Sequence, residues 1–297
     1  VTDLCNLRCD YCMPAKGVPK LRHADVLRYE EMAAVVGAAA RLGVRKVRIT
    51  GGEPLIKRAL TGLVRAVAST SGIEEVGLTT NGTLLAPAAA ALREAGVDRV
   101  NVSLDTLDPR RYEAITRGGD LSAALAGIAR AREVGLPVKL NAVLLAGRNE
   151  DELGRLVAFA RERHLGLRFI ERMTFDRPGA ILSEDAARAR LAEAHAVEPR
   201  PADPRHPHER RFAVDGFEVG FISPITHEFC AGCNKLRLTA DGRLRVCLAD
   251  GASVDVRAVL RRPHRPADLE AALREAVALK PARAPFAVAG EMWKVGG

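Results

Sequence analysis

Cys5, Cys9 and Cys12 stand in the segment VTDLCNLRCDYCMP at the spacing C-x3-C-x2-C. Three thiolates so close together can wrap one corner of a 4Fe–4S cube. A cube takes four ligands, so one iron stays open for a small molecule to chelate. The competing chemistry is a zinc knot, but a structural zinc closes with four ligands, and the nearest histidine is His23. Cys230, Cys233 and Cys247 form a second trio, C-x2-C-x13-C, again with a fourth position unfilled. No cysteine lies between Cys12 and Cys230. Such grouping is unlike a disulfide scaffold and points to metal or redox chemistry in a reducing compartment, here the cytoplasm.

The elements that must hold these thiols follow a rhythm. Gly43, Gly72, Gly96, Gly135 and Gly166 each precede a run rich in β-branched residues, such as VRKVRIT, IEEVGLTT and VDRVNVSLD. Glycine suits the residue after a helix, where positive φ costs it nothing. Between the glycines lie helical patterns such as Leu60, Leu63, Val64 and Val67. Repeated βα units predict a parallel sheet. With a strand expected before the first cysteine trio, six units fit, and the fold class is α/β, an incomplete (β/α)6 TIM-like barrel with a small C-terminal cluster-binding region. The expected division is 1–175 for the barrel, 176–215 for a connecting helix and Pro-rich linker, and 216–297 for the second cysteine region with its Gly-Gly tail. Within the last part, Asp241-Gly242 marks a hairpin turn, and a helix is expected from about Pro266 to Val277.

Several strands carry polar residues where a core is expected. Side chains at i, i+2 and i+4 of a strand share a face. Lys46, Arg48 and Thr50 therefore oppose Val47 and Ile49, and Lys139 and Asn141 alternate with Val138, Leu140 and Ala142. Asn101, Ser103 and Asp105 share a face, and Arg168 lies on the last barrel strand. Each cation alone reads best as a solvated surface charge. Together they read as an inward face, where buried cations require an anion such as a triphosphate.

The cysteine motif with Tyr11 before its last thiol resembles the signature of the radical S-adenosylmethionine superfamily. The run ITGGEP, residues 49–54, resembles that family's second motif. The string FCAGCNKLRLTADGRLRVCL, with TTNGTLL, NVSLDTLDP, ITRGG, VKLNAVLLAGRNEDEL, GFISP and the terminal Gly-Gly, is similar to the GTP 3′,8-cyclase family of molybdenum cofactor biosynthesis. The resemblance implies two 4Fe–4S clusters on the six cysteines and S-adenosyl-L-methionine as cofactor. One electron then cleaves the sulfonium to a 5′-deoxyadenosyl radical, which abstracts a ribose hydrogen, and the sugar carbon attacks guanine C8.

By position, the resemblance assigns the cofactor to Tyr11, Gly52, Glu53, Ser103 and Met173. It assigns GTP to Arg48, Thr79, Lys139 and the Lys235, Leu236, Arg237 segment, with Lys46 and Arg168 in support and the Gly296-Gly297 tail reaching the site. Lys235 stands where the family commonly has arginine, and the segment MTFDRPG departs from the usual run. The implied partners are GTP, an electron donor such as flavodoxin or ferredoxin, and a downstream cyclic pyranopterin monophosphate synthase.

Bulk composition narrows the alternatives. The formal charge is +8 and aromatic residues are 4%, too few for a base-stacking platform, so no nucleic acid is expected. No apolar run approaches a membrane span, and no secretory signal opens the chain. The chain starts at Val1, almost on the motif, so a short leading segment is expected to precede it. A monomer or a homodimer fits equally. A divergent homologue using another purine nucleotide and a non-catalytic iron–sulfur electron carrier stay as rival readings.

Overall fold

The computed structural model describes residues 1–173, 181–204 and 206–283. Strands β1 (Lys46–Ile49), β2 (Glu75–Thr80), β3 (Arg99–Ser103), β4 (Val138–Leu144) and β5 (Gly166–Glu171) fall where the glycine rhythm predicts them. Then come β6 (Val197–Arg200), β7 (Arg210–Val214) and β8 (Phe217–Ile222), followed by β9 (Arg237–Leu238), β10 (Arg243–Arg245) and β11 (Ser253–Asp255). The helices are α1 (Tyr29–Arg41), α2 (Leu60–Ala68), α3 (Leu85–Ala95), α4 (Pro109–Thr116), α5 (Leu121–Glu133), α6 (Leu153–Glu162), α7 (Glu184–Ala192), α8 (Val256–Leu260) and α9 (Pro266–Ala278).

The main sheet runs β1-β2-β3-β4-β5-β8-β7-β6. β1 to β5 and β8 are parallel, while β7 and β6 add on antiparallel. The sheet is α/β and curls as a partial barrel that does not close. The sixth parallel strand is therefore β8, and among the described residues no strand precedes Cys5. Residues 1–4 instead run beside the end of β1, where the Gly52 N–H donates to Thr2 O at 2.7 Å and the Glu53 N–H to Leu4 O at 2.8 Å.

The Pro-rich stretch read as a linker contains β6 and leads into β7. Pro199 pairs with Phe212, but β6 is the outermost strand, where a missing N–H need break no ladder bond. Gly166 also differs from expectation. The turn after α6 places His164, not Gly166, at positive φ (51°). Gly166 opens β5 beside Lys139, whose Cγ would stand 3.1 Å from an added Cβ.

One face of the sheet is apolar and packed under helices. Leu78, Val100, Val102, Leu140, Leu144 and Phe169 join Leu63, Val64, Leu92, Ile128 and Leu156 in one core. β4 alternates buried and half-buried along its whole length, so its polar residues take the opposite face. A second core seats α1 and α9 on the small β9–β11 sheet through Val35, Ala38, Leu244, Val246, Leu269 and Leu273. No helix among the described residues is long and apolar enough to cross a membrane.

Candidate active site

The first cysteine trio sits at the C-terminal ends of β1 to β4, where barrel folds place their chemistry. Cys12 and Met13 both donate backbone N–H bonds to Cys9 O, at 3.0 and 2.9 Å, closing a tight turn. The loop is pinned to the end of α4 by Arg8 N–H to Thr116 O and Asp10 N–H to Ile115 O, both 3.0 Å. Tyr11 donates its hydroxyl to Asp105 at 2.7 Å, and the other oxygen of Asp105 accepts the Val143 N–H at 2.8 Å. Burial raises the Asp105 carboxyl to about 6.

Glu53 is fully buried. Its carboxylate accepts from Thr80 Oγ1 at 2.8 Å, Asn81 N–H at 2.7 Å and Leu55 N–H at 2.9 Å. It braces the turn after β1, so the part of residues 51–53 turned toward the loop is backbone. A Cβ on Gly52 would fall 2.2 Å from Leu4 O, so only glycine lets the segment before Cys5 lie this close. Asn81, unassigned by sequence, donates to Cys5 Sγ at 3.8 Å and to Asn6 Oδ1 at 2.8 Å.

None of the six thiols is spent in a disulfide. A tetrahedral zinc with Zn–S bonds near 2.3 Å needs sulfurs about 3.8 Å apart. Among the described residues, the group of three ligand atoms lying within 4.8 Å of one another is Glu184, Asp185 and His227, and neither cysteine trio is that tight. Burial, then Asp105 and the neighbouring thiols, push the Cys9 thiol well up. A multi-iron cluster fits these observations: it needs wider sulfur spacing than one ion, and its charge offsets the crowding of thiolates. The carboxylates of Glu184 and Asp185 already face arginines, with Arg210 Nη1 2.8 Å from Glu184 Oε1 and Arg188 paired to Asp185.

The register assembles the predicted polar face. Arg48 pairs with Gly77 and Gly77 with Arg99; Thr79 aligns with Asn101, Lys139 and Gly166; Ser103 aligns with Asn141, Arg168 and Gly220. The expectation of unpaired cations awaiting a substrate holds only in part. Lys46 Nζ lies 3.2 Å from Glu75, which Arg99 also meets at 2.6 Å. Lys139 donates to Glu209 Oε1 at 2.8 Å, and Arg168, 2% exposed, pairs with the other oxygen of the same carboxylate. Burial pushes Glu209 up, but Arg168 and Lys139 outweigh it and hold the carboxyl at about 2. Gly220 makes room for this carboxylate, since a Cβ there would be 2.1 Å from Oε1.

Arg48 differs from its neighbours. It has no hydrogen bond or ion pair among the described residues and keeps contact with solvent. It stands in a recess where desolvation, then the Arg168 and Arg99 charges, lower it to about 10. Asn101 Oδ1, Asn141 Oδ1, Arg99 Nε and Arg168 Nε are enclosed without a partner among the described residues. Such atoms mark a face made for water or a polar ligand.

The segment of the second cysteine trio comes near this polar face at Lys235, two residues past Cys233. Cys233 N–H donates to Cys230 O at 3.0 Å in a single 3-10 turn, and Cys247 follows β10. Burial, followed by Arg237, lowers the Lys235 ammonium to about 7, and Arg48 and Arg168 add to the effect, so Lys235 lies near both. Arg237 is also lowered, by desolvation, with Cys233 and Cys247 pulling the other way. Leu236 is half-buried at the edge of the second core. Thr79, Ser103 and Met173 are half-buried, and Met173 stands two residues past the end of β5. Gly296 and Gly297 lie outside the described residues.

Residues 1–160 match the Radical SAM superfamily and residues 165–286 match Molybdenum Cofactor Synthesis C. The chain is 47% identical to the GTP 3′,8-cyclase of Pelotomaculum thermopropionicum, covering 95% of this chain and 90% of that one. It is 44% identical to the GTP 3′,8-cyclase of Moorella thermoacetica, with the same two coverages of 95% and 90%. It is also 44% identical to GTP 3′,8-cyclase 1 of Pseudomonas aeruginosa, over 98% and 91%. Among solved structures, histidine-tagged anSMEcpe with bound AdoMet superposes with a TM-score of 0.51 at 18% identity, over 65% of this chain and 54% of that one. The likeness covers about half of that structure and bears on the fold. The chain belongs to the Radical SAM superfamily and, within it, to the family of the GTP 3′,8-cyclases.

Proposed function

We propose that the protein is a GTP 3′,8-cyclase acting in the first step of molybdopterin biosynthesis. The observation that carries this reading is the polar sheet face that both thiol segments approach. The first thiol segment meets the strand ends at Asn81 and Asp105, the second approaches through Lys235, and between them Arg48, which has no partner among the described residues, offers its charge to an anion. Cys5, Cys9 and Cys12 would hold one 4Fe–4S cluster with S-adenosylmethionine on its open iron. When bound, that pair supplies a 5′-deoxyadenosyl radical. Tyr11, the backbone at Gly52 and Glu53, Ser103 and Met173 line the cofactor's place. Cys230, Cys233 and Cys247 would hold a second cluster facing the guanine base. Arg48, with Lys235 and Arg237 beyond it, meets the triphosphate as point or forked charges. Thr79 and Lys139 orient the ribose side, while Lys46 and Arg168 set the surrounding charge.

In the cell, a low-potential donor of the flavodoxin or ferredoxin kind delivers the electron. Cyclic pyranopterin monophosphate synthase consumes the product, and the cytoplasm keeps the thiols reduced. The deciding experiment is anaerobic incubation of the reconstituted chain with GTP, S-adenosylmethionine and reductant, read by product mass spectrometry. GTP and S-adenosylmethionine are consumed together. Release of 5′-deoxyadenosine with GTP unchanged removes the cyclase assignment and leaves the radical class. Turnover of another purine nucleotide in its place shifts the substrate, a change that Lys235 would explain.

A further inference from the structure

Lys280 stands two residues past α9, where its N–H donates to Val277 O at 3.1 Å and Pro281 ends the helix. Its ammonium has three donors. They meet Lys235 O at 2.9 Å, Val246 O at 3.0 Å and Cys233 Sγ at 3.7 Å. Two of these acceptors belong to the Cys233 segment, and the third is the carbonyl next to Cys247. The β9–β10 hairpin is the other link between those segments. The position of Lys280 is fixed from outside the hairpin, because Leu269 and Leu273 of α9 pack in one core with Leu244 and Val246.

We propose that Lys280 is the positioning residue of the second cysteine site, clamping the Cys233 and Cys247 segments into one half-cage and aiming an N–H at the Cys233 sulfur. The inference rests on the reading of this trio as a cluster site. A cation donating to a ligating sulfur stabilises the thiolate and the more negative, reduced state of whatever the sulfur binds. α9 thus does more than cover the small sheet. It sets the geometry and charge of the second site from a residue that sequence spacing does not connect to it.

The test uses the full chain, reconstituted anaerobically, as wild type, Lys280→Met, Lys280→Arg and Cys233→Ala. Iron and sulfide per chain are measured, and each cluster's reduction midpoint is followed by EPR. The first cluster serves as an internal standard and stays as in wild type throughout. Lys280→Met either drops to the iron content of Cys233→Ala or keeps the second cluster with its midpoint moved to lower potential. Lys280→Arg, which restores the charge, moves the midpoint back. Should the Met variant fail to fold by circular dichroism, Lys280→Gln replaces it with the same expectations. A second cluster with wild-type iron content and midpoint in the charge-free variant overturns the proposal while the two-cluster reading stands. Iron for only one cluster in the wild type overturns both.

Discussion

Glu209 lies with its Oε1 2.8 Å from the Lys139 Nζ, although 70 residues separate the two. The same carboxylate pairs with Arg168, so two cations of the sheet's polar face have an anion built in. This divides the positive residues of the recess by role. Lys139 and Arg168 are held by the protein, whereas Arg48 is open to a ligand. A buried pair stripped of one partner leaves a charge without compensation, which costs far more than the pair gains.

Replacing Glu209 with glutamine therefore destabilises the fold by about 3 kcal/mol or more at neutral pH. Thermal unfolding with and without tripolyphosphate reads this, and added polyanion restores part of the loss. The folded carboxyl sits near 2, below its ordinary 4.5. Its contribution is complete above the unfolded value and fades as pH falls from about 4.5 toward 2. The gap between wild type and variant narrows over that window. A constant gap down to pH 2 contradicts the ion pair.

Arg48→Met removes a cation that bonds nothing among the described residues. Its melting temperature stays near wild type while the GTP dissociation constant rises about 10- to 100-fold, the worth of one charge-assisted contact. Lys46→Met has a smaller effect, because Lys46 is already paired with Glu75. Equilibrium binding of GTP measured for both variants checks the ranking, and equal effects refute it.

Gly52→Ala forces a Cβ toward Leu4 O, at 2.2 Å in the unshifted backbone. The segment bearing Cys5 must move away from the turn that Glu53 braces. We expect the iron of the first site to be lost or labile, with S-adenosylmethionine binding abolished and the second site retained. Iron counting after gel filtration reads the outcome. Full occupancy with normal cofactor binding shows that the close approach has no bearing on the site.

The two thiol sites differ in what their loss does. Cys9→Ala abolishes cleavage of S-adenosylmethionine altogether. Cys233→Ala keeps some cleavage, uncoupled from product, because the radical source is intact and the substrate is misplaced. Assays of 5′-deoxyadenosine beside cyclised product separate the cases. Identical loss of both products in both variants speaks against separate roles.

Much of the site was legible along the chain because its signals are local. The cysteine spacings, the Gly51-Gly52 turn and the alternation in β1, β3 and β4 depend only on neighbours, and the register bears out the shared polar face. What escaped was contact between distant segments. Glu209 sits in a Pro-rich stretch whose composition reads as loop, and nothing near it in sequence names Lys139 or Arg168. That Pro-rich composition hides β6, in which Pro199 at the sheet edge costs no ladder bond. Asn81 and Lys280 reach thiols 76 and 47 residues away.

The sequence by itself determined the donor sets, the βα rhythm and the faces on which cations stand, since residue type and periodicity fix these before the chain folds. Only the tertiary structure decided which charges are already neutralised and which remain open. Ion pairing depends on which side chains the sheet and its crossovers bring within a few ångströms, and that distance is not encoded in any one segment.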